Sequence, residues 1–203
     1  HNLKPARFTC HRCGTEYVVP SDELSCKHHR CARCRARLVD VALHTNPGYH
    51  SVIGHATALG VAGKAVIATE EIVSEDHFRE ICREPQCRNY GSSIHCPPHS
   101  PLPSDFRQLL GTFRFALVFR FDVPTEAFSQ PERREIGRLL HETTADLERL
   151  AHQQGFGRAA GYAAGGCRQI FCHEQDDCAA LQDGSACRFP DIARTSMSGL
   201  GVN

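Results

Sequence analysis

The stretch Cys82-Arg83-Glu84-Pro85-Gln86-Cys87-Arg88-Asn89-Tyr90-Gly91-Ser92-Ser93-Ile94-His95-Cys96-Pro97-Pro98-His99 holds three thiols with four and then eight residues between them. It carries too much Pro, Gly and Ser to continue as helix or strand, so it reads as a loop. Downstream, Cys167, Cys172, Cys178 and Cys187 follow the same plan, with gaps of four, five and eight residues. Both sets are wider than the two-residue gap of a zinc knuckle. Wide arms suit a bulky cubane better than one small ion. Pro97, directly after Cys96, matches the Cys-Pro ending of iron–sulfur runs. The seven cysteines are therefore read as ligands of a [4Fe-4S] cluster.

Seven thiolates do not divide evenly, and two divisions stay open. Cys167, Cys172, Cys178 and Cys187 would close one four-cysteine cluster, leaving Cys82, Cys87 and Cys96 as a three-thiolate site with an open iron. His95, His99 or a substrate would complete that site. Alternatively, sulfurs from both halves share one cluster and the remainder are packed thiols. Arg83, Arg88, Arg168 and Arg188 each follow a cysteine and would offset thiolate charge; plain solvent exposure is the competing reading. His173 beside Cys172 is a further candidate ligand or hydrogen-bond donor. Tyr90-Gly91 reads as a turn with a packed ring, Gly91 supplying a left-handed backbone.

Outward from the cysteines lies an ordinary scaffold. Residues 65–68 read as a short strand, Ser74 as the N-cap of a helix through Ile81, and 103–110 as a short helix closed by Gly111. In 113–121 the odd positions alternate as one apolar face, with Arg114 and Arg120 opposite. The longest helix is expected over 130–154, with Ser129 and Glu132 as a capping box. Its apolar stripe is Ile136, Leu139, Leu140, Leu147, Leu150 and Ala151. Residues 158–164 resemble a strand leading to Gly165-Gly166-Cys167. Strands alternating with helices predict an α+β or α/β domain with its cysteines on loops at one end.

A smaller unit precedes it. Cys10-His11-Arg12-Cys13-Gly14 and Cys31-Ala32-Arg33-Cys34 are knuckles, together C-x2-C-x17-C-x2-C, the spacing of a four-thiolate zinc site. Metal binding would supply the folding energy that so few apolar residues lack. The expected division is a zinc ribbon over 1–40, a connector over 41–63 and the cysteine-rich domain over 64–203. Cys26, beside His28 and His29, is spare and reads as a free thiol. Lys27, Arg12, Arg30, Arg33, Arg35 and Arg37 make the ribbon locally basic, which leaves a nucleic-acid contact open.

Bulk composition narrows the function classes. The 23 Lys+Arg balance 23 Asp+Glu, so no net charge draws the chain to nucleic acid or an anionic membrane. No stretch reaches the roughly 20 apolar residues of a membrane span, and no apolar leader opens the chain. A cytoplasmic protein is expected. The 12 cysteines cluster at ligand spacings around a long cysteine-free stretch, which favours metal over a disulfide framework. Phosphate-loop, dinucleotide and serine-hydrolase motifs are all missing. Two readings survive. One is a Zn2+ and [4Fe-4S] protein that exchanges electrons with a redox partner or presents an open iron. The other is a zinc-only module that docks a protein or nucleic acid.

One resemblance bears on the larger unit. Cys82, Cys87, Tyr90-Gly91 and Cys96-Pro97-Pro98 are followed by Gly165-Gly166-Cys167, Cys172, Cys178, Cys187-Arg188-Phe189-Pro190, Ser196-Met197 and Gly201. This ordered double signature resembles an uncharacterised family of predicted metal-binding proteins, from about Ala65 to Asn203. The resemblance implies metal binding through these cysteines and supplies no reaction. Thr195 stands where Pro is expected before Ser-Met. Residues 8–39 are similar to short bacterial zinc-ribbon modules.

Overall fold

The computed structural model describes residues 6–10, 13, 15–19, 31–34, 46–85, 87–128 and 132–202. Cys26, its neighbouring histidines, most of the basic ribbon residues and the Ser129 cap lie outside them. Near the N-terminus, β1 (Ala6–Thr9) pairs antiparallel with β2 (Glu16–Val19), Phe8 opposite Tyr17.

The larger unit is α+β, and its sheets among the described residues are all two-stranded. Its first element falls inside the stretch read as connector. Helix α1 (Pro47–Ala58) starts at Asn46, whose side chain accepts the Gly48 N–H at 2.8 Å, with Pro47 in the first turn. Val52 and Ala56 of α1 join Val61 and Leu147 in the main apolar cluster. Small residues made this helix hard to read, because Gly and Ala permit close packing without marking a face. Strand β3 (Gly63–Ala68) then pairs antiparallel with β4 (Phe115–Arg120), Val66 opposite Leu117. Leu117, Phe119 and Phe121 pack against the cluster, while Val118 is exposed, as the alternation predicts.

Helix α2 (Asp76–Arg83) ends in the first cysteine loop. Its N-cap is Glu75, not Ser74. Ser74 is buried and donates to the Leu200 carbonyl at 2.7 Å, so its hydroxyl staples the C-terminal turn instead of capping. Helix α3 (Pro103–Leu110) follows and is closed by Gly111. Arg79 of α2 donates to the carbonyls of Pro98, Ser100, Pro101 and Gly199, at 2.6 to 3.1 Å. One guanidinium thus ties the Cys96-Pro97-Pro98 loop to the C-terminus.

The long helix α4 (Glu132–Gln153) carries two buried faces. Leu147, Leu150 and Ala151 meet the α1 cluster, as the stripe predicts. Leu139 belongs to neither face and is 41% exposed. The second face, His141, Thr144 and Ala145, is buried beside α5 (Cys167–Phe171) and β5 (Tyr162–Ala163). Only two residues of the expected 158–164 strand pair, in parallel with β6 (Thr195–Ser196). A further short helix, α6 (Ala179–Gln182), follows Cys178.

Candidate metal centres

In the N-terminal unit the two knuckles converge. The Cys10 and Cys34 sulfurs lie 3.6 Å apart, those of Cys13 and Cys31 3.5 Å, and all four fall within 4.8 Å of one another. Thiolates held about 2.3 Å from one tetrahedral zinc stand about 3.8 Å apart, so the set has the size of a single-ion site. Cys10 and Cys31 are fully buried. The Cys34 N–H points at the Cys31 sulfur at 3.4 Å, the amide contact that a knuckle turn provides.

Tyr17 is the support that the sequence did not mark. Its hydroxyl lies 3.0 Å from the Cys31 sulfur and accepts the Ala32 N–H at 3.0 Å. Burial pushes the Cys31 thiol up, but hydrogen bonds led by Tyr17 and the Cys34 N–H outweigh it and bring it down to about 6. The Thr15 hydroxyl, 3.1 Å from Cys13, lowers that thiol too. Cys13 and Cys31 are therefore biased toward the thiolate, the form that binds metal.

In the larger unit, Cys167, Cys172, Cys178 and Cys187 line one narrow cleft. Among the described residues, no three of the seven main-unit cysteines share the 4.8 Å closeness of the tetrad. Ser93, His95, Arg168 and Arg188 line the same cleft, and Phe171 and Phe189, stacked at 5.4 Å, form its apolar wall. Burial raises the Cys172 thiol and neighbouring Cys187 raises it further, while Arg168 and Arg188 oppose them. Both arginines are held by the cysteine loop: Arg168 donates to the Gln175 carbonyl, and Arg188 to that of Asp177 at 2.9 Å.

Cys82, Cys87 and Cys96 form a neighbouring set. The Cys87 N–H closes on the Cys82 carbonyl at 3.0 Å, and the Asn89 N–H faces the Cys87 sulfur at 3.5 Å. Gly91, at φ +71°, adopts the expected left-handed turn and donates to the Pro97 carbonyl at 2.7 Å. Cys96 is 3% exposed; burial lifts its thiol to about 11, and Cys87 and Cys82 both act on it. Cys167, 5% exposed, is lifted to about 12, chiefly by burial and then by Cys96.

The candidate side chains around the sulfurs sort plainly. Arg83 pairs with Glu80 on the surface at 2.7 Å, and Arg88 and His99 are exposed. His173 sits 3.6 Å from Glu174. The His95 ring lies 3.1 Å from the Thr195 hydroxyl. Sequence reading missed His141, which is fully buried under the cleft, edge-on to Phe171 at 5.6 Å. Its Nδ1 accepts the Arg194 N–H at 3.1 Å, and burial drives its pKa down to about 4. A single histidine in a long helix carries no signal that separates it from the 12 others.

Fold and cysteines together define a small α+β protein with a zinc-ribbon-like thiolate site and a second group of thiols around a cleft. The chain belongs to the predicted metal-binding protein family DUF2284, whose model matches residues 65–203. No curated protein and no solved structure matches it. The tetrad and α1 lie outside the matched residues, and the seven main-unit cysteines lie within them.

Proposed function

We propose that the protein carries one structural zinc in the Cys10, Cys13, Cys31 and Cys34 tetrad and [4Fe-4S] chemistry in the larger unit. It would serve electron transfer or the binding of a ligand at a cluster iron. The observation behind the cluster is the disposition of the sulfurs. Four line one cleft, and all seven are spaced more widely along the chain than the cysteines of a zinc knuckle. Such a donor set fits a bulkier group. An iron–sulfur cluster held there would supply one-electron chemistry or a Lewis-acidic iron. The chain's own part is to provide thiolates, to shield them behind Phe171 and Phe189, and to balance their charge with Arg168 and Arg188. A reducing cytoplasm, which keeps such thiols free, is the setting this reading implies. Among the described residues no helix is long and apolar enough to cross a membrane.

The test is substitution of Cys96 or Cys187 by Ser in anaerobically purified protein. Each is expected to bleach cluster absorbance and lower the iron content. Unchanged absorbance and iron in both variants would contradict the assignment. The second reading, a zinc-only docking module, draws on the tetrad's separation from the family region. It predicts binding to a protein or nucleic acid that disappears when residues 1–40 are deleted.

A further inference from the structure

We infer that Arg79 is the positioning residue of the first cysteine loop, and that its guanidinium supplies the positive charge that balances the thiolates there. The inference rests on the iron–sulfur reading above and adds to it a residue that is not a ligand.

Arg83 and Arg88, each next to a cysteine, are the residues that spacing marks for this role. The fold leaves both at the surface, Arg83 paired with Glu80 and Arg88 exposed. Arg79 is half-buried instead and lies one turn before Cys82 on α2. Residues three apart on a helix share a face, with about 5–6 Å between their Cβ atoms. From there the guanidinium reaches the turn that follows Cys96. It donates to the Pro98, Ser100 and Pro101 carbonyls and to the Ser100 hydroxyl, at 2.8 to 3.1 Å. That turn starts at Cys96 itself, whose carbonyl accepts the His99 and Ser100 N–H groups at 3.0 Å. Arg79 thus fixes the Cys96 turn against the helix that carries Cys82.

The remaining acceptor is the Gly199 carbonyl at 2.6 Å. A Cβ at Gly199 would lie 2.9 Å from the Pro97 ring, so glycine lets the C-terminal turn press onto the Cys-Pro-Pro segment. All the oxygens that Arg79 reaches are neutral, and among the described residues no carboxylate pairs with it, whereas Arg107 has Asp76 at 3.2 Å. A guanidinium does not deprotonate in a protein, so Arg79 keeps its whole charge beside the loop. Partial burial limits the screening of that charge, and a nearby anionic cluster feels it. Lysine would bring the charge as a point, without the fork that spans several carbonyls.

Arg79→Gln, Arg79→Lys and Arg83→Gln in the anaerobically reconstituted full-length protein test this. The readouts are iron per folded chain and the midpoint potential in a dye-mediated dithionite titration. Arg79→Gln is expected to lower the iron severalfold and to move the potential of the remaining cluster downward, because reduction adds negative charge that Arg79 no longer offsets. Arg79→Lys keeps the charge without the fork, so iron should fall while the potential stays near native. Arg83→Gln should change neither. Should Arg79→Gln not fold, Arg79→Lys carries the test: reduced iron at a near-native potential supports the assignment, and native iron overturns it. Native iron and an unshifted potential in Arg79→Gln, or the same losses in Arg83→Gln, would overturn the assignment and leave the cluster reading intact. Absence of iron and sulfide from the native protein would instead overturn the cluster reading itself.

Discussion

Gly166 and Asn89 touch across the two cysteine loops: a Cβ on Gly166 would lie 2.6 Å from the Asn89 side chain. The obstacle is the short, partly buried stem of an amide, which cannot swing away as a long surface side chain would. Gly166→Ala should therefore cost on the order of 1–3 kcal/mol and lower the iron held per chain. Gly54, mid-helix with nothing within 4 Å of its would-be Cβ, is the control. Gly54→Ala should leave the iron unchanged and stabilise the fold by roughly 0.5–1 kcal/mol. Urea melts and iron analysis of the two variants check both halves.

The Tyr17 hydroxyl on the Cys31 sulfur gives a second expectation. Hydrogen bonds to a ligand orient it and favour its charged form, and their loss costs roughly tenfold or more in metal affinity. Tyr17→Phe should weaken metal retention at the tetrad by about that factor, as read by competition with a coloured chelator. Equal retention would mean that the four sulfurs alone set the affinity.

Ser74 offers a stability test remote from any metal. Its bond to the Leu200 carbonyl is buried, so Ser74→Ala leaves a carbonyl without its donor and should cost about 1–3 kcal/mol. A cap residue would instead be rescued by Asp or Asn. Here Ser74→Asp should be worse than Ala, because it sets a carboxylate against a carbonyl.

His141 sets a pH dependence. Burial disfavours its imidazolium, placing the folded pKa near 4 against an ordinary 6.5. As pH falls the unfolded chain takes up this proton first, so stability is full above about pH 6.5 and declines toward pH 4. At about 1.4 kcal/mol per pKa unit the loss is on the order of 3–4 kcal/mol. Comparing urea midpoints at pH 7.5 and 5.5, His141→Gln should show a smaller drop than the native protein.

Local signals carried much of this structure. The alternation of 113–121 identified β4, Leu147, Leu150 and Ala151 identified one buried face of α4, and the knuckle spacing identified the tetrad. What escaped depends on distant contacts. Strand β6 is two residues long and exists only because Thr195 and Ser196 meet Tyr162 and Ala163. Ser74 looks like a cap until Leu200 is brought beside it. Helix α1 has too little amphipathic contrast to separate it from a linker. In the larger unit the two runs of cysteines were legible, but the side chains around them were not. The start of α5 lies against the first cysteine loop because Gly166 has no Cβ to meet Asn89, a placement that no spacing count contains.

The central claim is that the main-unit thiols hold iron and sulfide. Its most direct test is zinc, iron and acid-labile sulfide per chain in protein purified without oxygen. The account predicts about one zinc, with iron and sulfide in equal amounts of at least about four each. Zinc alone, with no labile sulfide even after anaerobic reconstitution, would contradict it.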